Sequence, residues 1–508
     1  MASQEMVDYE RKMTKRVLWK LDSHVLPPLA LLWLANFIDR SNIGNAKIVG
    51  LVTDTHLVGN QFNTALAGVY FSYLMVEMPS NWILKRMGAN RWLPIIVFLW
   101  GTVTTLTGLV HNFGGVLGIR LVLGACEGGL LPGMILYLST LYKRNELQLR
   151  VGIFYASASL SGAFGGLLAD AIIKMDGVGG LEGWRWIFIL EGIVTVLFSI
   201  MAAFILPADL ASARFFTSEE REFAVARFNR DLPPSAVPTA EGEKNSLDEK
   251  QSESRREDAT EDLISPGDVQ EEHFEWREVM RGVLDIQVWL TGFAYFGFIV
   301  SLYSYSLFLP TIVAGLGYSG GAAQLHTVPP YVPAVVLTVV VAYLSDRLQW
   351  RGILICICLP VAIAGYIVAI TAKTNTGRYA AVFLMAAGVY PSGPSILSIL
   401  PNNSSGHYKR ATTTALQLAI ANCGGFVATF AYTPDQSPRY IRGHTIALSF
   451  LILAWVLTAA NVCYCAWENK ARAEGRRQDN ITKYQELWDS GKTRAPIGDR
   501  HPDFRFVL

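Results

Sequence analysis

Charge is scarce in this chain. Only 17% of its 508 residues are Asp, Glu, Lys or Arg and the net charge is +1, which excludes bulk attraction to a polyanion. Cysteine is scarce as well: Cys126, Cys356, Cys358, Cys423, Cys463 and Cys465 all fall inside apolar runs and none in an exposed loop. Residues two apart on a helix face different ways, so neither Cys356/Cys358 nor Cys463/Cys465 forms a metal clamp. These cysteines are expected to be packing residues, and no metal site is expected. No stretch of domain length outside the apolar runs has the composition to bury a core of its own. An enzyme would have to place its active site among those runs, so no enzymatic activity and no cofactor are expected.

Hydrophobic residues, 51% of the chain, are what the sequence has in abundance. They gather into twelve runs, roughly 26–51, 63–83, 92–111, 114–139, 150–173, 185–206, 286–314, 326–345, 352–372, 379–400, 412–432 and 443–466. At 1.5 Å per helical residue such runs match a hydrocarbon core about 30 Å thick. The first run is too long for a signal peptide and follows a basic stretch at residues 11–20, so it is expected to be a retained span. The tenth is interrupted by Pro391 and Pro394.

Between runs six and seven the composition changes. Residues 231–272 are rich in Pro, Ser, Asp, Glu and Lys, which cannot offset their ordering entropy by burial and should stay disordered. The expected organisation is an N-terminal segment at 1–25, a six-helix bundle at 26–206, a linker at 207–285, a second six-helix bundle at 286–466 and a tail at 467–508. The halves echo each other: runs two and eight both end in a basic turn, and Tyr-Lys-Arg follows run four (142–144) and run ten (408–410). That argues for an internal repeat. The fold class is therefore an all-α membrane protein with twelve transmembrane helices in two pseudo-symmetric bundles. Loops on one side carry Lys85, Arg86, Arg91, Lys143, Arg144, Arg150, Arg347, Arg351, Lys409 and Arg410; those on the other carry Lys174, Arg185, Lys373, Arg378, Arg439 and Arg442. The larger set, with both termini on its side, is expected to be cytoplasmic.

Two charged pairs break the apolar runs at bilayer depth: Asp39 with Arg40 in the first, and Arg120 with Glu127 in the fourth. An ionisable group there costs about 2.5–3.5 kcal/mol even on lenient insertion scales, so it marks a substrate or proton site by default. Seven residues turn a helix through about 700°, which puts Arg120 and Glu127 on one face about 10 Å apart along the axis. An arginine aimed into a cavity can fork onto a carboxylate. Burial favours the protonated form of a glutamate and a nearby guanidinium the ionised form, so anion binding can tip the balance.

Five motifs stand in order along the chain: Phe37-Ile-Asp-Arg-Ser-Asn-Ile-Gly-Asn-Ala-Lys47, Glu77-Met-Pro-Ser-Asn81, Glu127-Gly-Gly-Leu-Leu-Pro132, Gly183-Trp-Arg-Trp186 through Glu191-Gly192, and Gly498-Asp-Arg-His-Pro-Asp-Phe-Arg505. Together they resemble the major facilitator superfamily, and within it the fungal anion:cation symporters related to allantoate, nicotinate, pantothenate and biotin permeases. The superfamily's signature turn survives after run eight as Asp346, Arg347 and Arg351, which the resemblance implies act in gating; after run two Lys85 replaces its acid. The resemblance also implies that Arg40 and Arg120 engage a substrate anion and that Glu127 takes the coupling proton. Asp39 joins Glu127 as a candidate proton group. The arginine that some relatives carry in span seven has no counterpart: residues 288–310 offer Tyr295, Tyr303 and Tyr305 instead.

Asn42, Asn45, Asn422, Tyr303 and Tyr390 are polar enough to orient a substrate, and interhelical hydrogen bonding explains each equally well. Lys47 is expected to snorkel to the outer surface, and Glu77 and Glu191 to anchor helix ends. The expected partners are a small organic anion, such as a monocarboxylate, vitamin or ureide acid, and the lipid bilayer; nucleic acid is not expected, and the chain is expected to be a monomer in the plasma membrane. Proton-coupled symport leads. Efflux of an acidic secondary metabolite is the alternative, and a nutrient receptor that binds without translocating is the third.

Overall fold

A computed structural model describes residues 2–229, 275–493, 495 and 497–508; the linker stretch expected to be disordered lies outside the described residues. Among the described residues the protein is helical and has no strand. The N-terminal half comprises α1 (Ala2–Ala46), α2 (Gln61–Met87), α3 (Ala89–Thr107), α4 (Phe113–Glu127), α5 (Leu130–Leu141), α6 (Arg144–Ile173) and α7 (Gly183–Ile205). After α8 (Ser218–Asn229) and α9 (Trp276–Val283), the C-terminal half comprises α10 (Ile286–Ala314), α11 (Gly320–Leu325), α12 (Val328–Leu348), α13 (Arg351–Thr371), α14 (Asn375–Asn403), α15 (His407–Ala431) and α16 (Ile441–Ala473). A last helix, α17 (Asp479–Asp489), belongs to the tail. Nine of the described helical segments are long and apolar enough to cross a membrane on their own. Helices α2, α3 and α6 complete the twelve spans, with α4 and α5 together making the fourth.

The repeat is visible in the packing. In the first half span one packs on spans five and six, span two on four, and span three on six; in the second, span seven packs on eleven and twelve, eight on ten, and nine on twelve. The halves meet through spans one and seven, two and eleven, and five and eight, the set that a two-fold exchange of halves leaves unchanged. Small residues permit the approach. A Cβ on Gly44 of α1 would come within 2.3 Å of the Leu307 carbonyl oxygen in α10, and one on Gly425 of α15 within 2.5 Å of the Tyr70 ring in α2. Asn63 of α2 donates to the carbonyls of Thr429 and Tyr432 beyond it. These contacts lie toward the end of the bundle opposite the linker.

Three expectations about individual spans differ from the structure. The first helix runs back to Ala2, and its N-terminal turns hold α8 in place: Arg16 and Lys20 each lie 2.7 Å from the buried Glu220 carboxylate. Burial pushes the Glu220 carboxyl up, but the bond from Lys20, the Thr217 amide and the two nearby cations outweigh it and hold it below its ordinary range. Span four is interrupted at Gly128–Gly129, directly after Glu127. There a Cβ on Gly128 would lie 2.7 Å from the Tyr73 carbonyl oxygen, so the break is fitted against α2. Span ten, by contrast, stays helical through Pro391 and Pro394. Buried hydroxyl and amide groups take up carbonyls around those prolines: Ser392 donates to Gly388 at 2.9 Å and Gln417 to Ile396 at 3.3 Å.

Candidate functional site

Arg40 lies where the two halves meet. Its Nε and Nη2 donate to Glu127 Oε2 at 3.3 and 3.2 Å, and its Nη1 donates to Tyr303 Oη at 2.7 Å. The guanidinium also lies 5.3 Å from the centre of the Tyr303 ring and 5.8 Å from that of Tyr73, a cation–π setting. Tyr70 stacks on Tyr303 with ring centres 5.4 Å apart. One arginine thus joins span one, span four and span seven, and a carboxylate of the first half to a phenol of the second.

The partner of Glu127 is therefore Arg40, although Arg120 shares its helix face. Two turns of helix separate Arg120 from Glu127, whereas Arg40 reaches across from a neighbouring helix. Arg120 is buried at 3% exposure with its Nε unpartnered. Its guanidinium lies 5.8 Å from the centre of the Phe188 ring, and the charges of Asp39 and Glu127 both act on it. Asp39 turns toward span three, where its Oδ2 accepts from Trp100 Nε1 at 2.7 Å and from Thr104 Oγ1 at 3.2 Å. The other carboxylate oxygen of Asp39 and Oε1 of Glu127 are buried without a partner.

The weaker candidates scatter. Tyr303 joins the centre. Tyr390 packs edge-on against Tyr305 and Tyr331 in the second half; Tyr305, two residues from Tyr303, faces the other way and donates to the Val382 carbonyl. Asn45 donates to Gly165 of α6 at 3.5 Å, so it belongs to the seam between spans one and five. Asn42 is fully buried with neither end of its amide partnered. Asn422 is half-buried on α15, three residues before Gly425 and so on the face toward Tyr70.

Other expectations are corrected. Lys47 does not snorkel outward; its ammonium lies 4.7 Å from the ring centre of Phe62 and 5.2 Å from that of Phe308, between the two halves. Glu191 anchors no helix end, because it stands two turns into α7 with both carboxylate oxygens buried and unpartnered. In the gating turn Arg347 is exposed, while Arg351 is buried and donates to the Ser398 carbonyl at 3.3 Å. The Asp346 side chain lies outside the described residues. The Gly-Trp-Arg-Trp motif is a clasp: Trp184 donates to Asp54 at 2.8 Å, and Arg185 to the carbonyls of Gly108 at 2.9 Å and Val110 at 2.7 Å. Sequence reading passed over Tyr70, Tyr73 and Trp100; aromatic residues in an apolar run look like packing until a charge is placed beside them.

Removing only the phenol tests whether the Tyr303 bond matters. Tyr303→Phe keeps the ring stack and deletes one bond to a charged group, worth about 1.5–3 kcal/mol. The expected result in uptake kinetics is at least a tenfold loss in transport efficiency (maximal rate over half-saturating concentration) at unchanged surface expression; unchanged kinetics would make Tyr303 a packing residue.

Twelve spanning helices in two equivalent halves, with an ion pair of the first half bonded to a tyrosine of the second where they meet, define a membrane transporter. The chain belongs to the Major Facilitator Superfamily, whose family model matches residues 29–429. It is 35% identical to an uncharacterized transporter of Schizosaccharomyces pombe over 493 residues, covering 97% of this chain and 90% of the relative. It is 29% identical to the high-affinity nicotinic acid transporter of Saccharomyces cerevisiae, covering 97% and 85%. An MFS-type transporter of Hormonema carpetanum is 31% identical, covering 89% and 85%. Among solved structures, a D-xylose–proton symporter superposes with a TM-score of 0.60 at 14% identity, covering 86% of this chain and 96% of that one. A bacterial homologue of the lysosomal transporter Spinster in an inward-facing conformation gives 0.59 at 15% identity, with the same coverage. The likeness to these two structures establishes the fold. The protein is a multi-pass membrane transporter and not an enzyme.

Proposed function

We propose that the protein carries a small organic anion in symport with a proton, by alternating access, powered by the proton gradient and requiring no cofactor. The Arg40–Glu127 pair carries this reading. While Glu127 is ionised it occupies two donors of the Arg40 fork. Once Glu127 is protonated, Arg40 is left buried without its counter-ion, a state costing several kcal/mol. An arriving carboxylate offsets that cost, so proton and anion each favour the binding of the other. Arg120, buried with an unpartnered Nε, gives the anion a second cationic anchor. The tyrosines Tyr70, Tyr73 and Tyr303 provide an aromatic wall. A single-carboxylate ligand such as a vitamin or ureide acid suits that wall better than a dianion, and one relative is named for transport of such an acid. The transporter works as a monomer in the plasma membrane with both termini cytoplasmic, in keeping with the loop charges.

The test is uptake of a panel of labelled carboxylates by cells expressing this chain at several external pH values, with the matching amides as competitors. Uptake of one acid is expected to rise as external pH falls, and its amide should compete poorly. An amide as effective as the parent acid, or accumulation indifferent to the proton gradient, would overturn the reading.

A further inference from the structure

The linker end of the bundle holds a cavity unrelated to the central pair. Helix α9 has two faces. Trp276, Met280 and, just beyond its end, Leu284 are 71%, 48% and 74% exposed, spaced four residues apart along one stripe. On the other side Arg277 and Arg281 line a cavity of about 330 Å³, together with Lys483 and Tyr484 of α17 and Arg500 of the tail. We propose that this cavity binds the phosphate-monoester headgroup of a membrane lipid.

Among the described residues four cations line the cavity against one acid, Glu278. That acid is already committed, because both its oxygens accept from Arg281 at 2.7 Å. Asp499, beside it, is shared between Arg281 at 3.0 Å and Lys409. Among the described residues Arg277 keeps a buried Nη1 with no hydrogen-bond partner. Burial and the neighbouring charges of Arg281 and Arg277 push the Arg500 guanidinium below its ordinary range. An anion with several acceptor oxygens relieves both, and guanidinium forks match phosphate better than they match a lone carboxylate charge.

The apolar stripe identifies the source of that phosphate. Trp276, Met280 and Leu284 lead directly into α10, whose Ile286 and Trp289 are also exposed. A short helix with tryptophan and aliphatic residues on one face and arginines on the other lies in the interfacial plane of a bilayer, at headgroup depth. The tail that supplies Arg500 is seated nearby: Asn469 and Asn403 bond the backbone of Phe506 and Val507, and the Gly352 amide donates to the Leu508 carbonyl at 3.1 Å. A headgroup in the cavity would bridge α9, α17 and this docked tail.

The experiment uses the full-length protein in phosphatidylcholine nanodiscs, doped either with phosphatidylinositol bisphosphate or with phosphatidylserine at matched charge. Retained lipid is counted by native mass spectrometry, and soluble inositol trisphosphate is titrated in a separate arm. Retention of the bisphosphate is expected to exceed that of the serine lipid at least tenfold. Arg277→Gln and the fully surface variant Lys483→Gln should each lower it about tenfold, the equivalent of one charge-assisted bond, at unchanged melting temperature. Equal retention of the two lipids, or no loss in either variant, would overturn the proposal. Binding of inositol trisphosphate as tight as that of the lipid would overturn the lipid assignment and give the cavity to a soluble phosphate.

Discussion

Glu127→Gln abolishes accumulation of substrate against a gradient while exchange of labelled for unlabelled substrate continues: this is the expected result with the largest effect. The amide cannot give up a proton, so the site is fixed in a state resembling protonated Glu127. Arg40 then keeps its bond to Tyr303 but loses its counter-ion, and stays available to the substrate carboxylate throughout the cycle. Loaded carriers can still cross in both directions. The empty carrier must return with a buried uncompensated charge, a cost of about 3–5 kcal/mol by analogy with broken buried pairs, which is at least a hundredfold in rate. Concentrative uptake with its pH dependence intact would remove Glu127 from the coupling step. Loss of exchange together with accumulation, in protein that reaches the membrane folded, would make the Arg40–Glu127 pair structural.

Arg120→Lys is expected to raise the substrate concentration for half-maximal uptake by more than tenfold, with little change in the amount of transporter at the membrane. The charge survives, but the planar fork is replaced by a point donor on a flexible stem. Arg120 is buried beside Phe188 and its Nε has no partner, so a lost bidentate contact cannot be recovered from solvent. A charge-assisted hydrogen bond is worth about 1.5–3 kcal/mol, which sets the scale of the loss. Wild-type affinity in the lysine variant, or competition by an amide analogue as strong as by the acid, would show that Arg120 serves only to balance Asp39 and Glu127.

Much of this protein is written locally. Helical periodicity is irrelevant to a span that lipid or protein surrounds on all sides, so mean hydropathy over about 20 residues suffices to place it. The expensive residues announce themselves by the same measure: Asp39, Arg40, Arg120 and Glu127 stand out because nothing around them in sequence can hydrate them. The signature turn and the repeated Tyr-Lys-Arg likewise carry the repeat without any knowledge of packing. Residues whose roles depend on a neighbour in another helix were not legible. Glu191 looked like a helix anchor and Lys47 like a snorkelling cation, because a sequence does not show which way a helix is rotated.

By itself, then, the sequence determined an all-helical membrane protein of two six-span halves with four ionisable groups at bilayer depth, because transfer free energy is additive along a segment and needs no partner. Only the tertiary structure decided who pairs with whom. It gave Glu127 to Arg40 rather than to Arg120, turned Asp39 toward Trp100 and Thr104, brought Tyr303 across from the other half, and left Arg120 Nε unpartnered. Those outcomes depend on the rotation and separation of helices, set by close contacts such as Gly44 against Leu307 and Gly425 against Tyr70. Pair energies in a low-dielectric interior fall off over a few ångströms, so a shift too small to alter any hydropathy window selects a different ion pair.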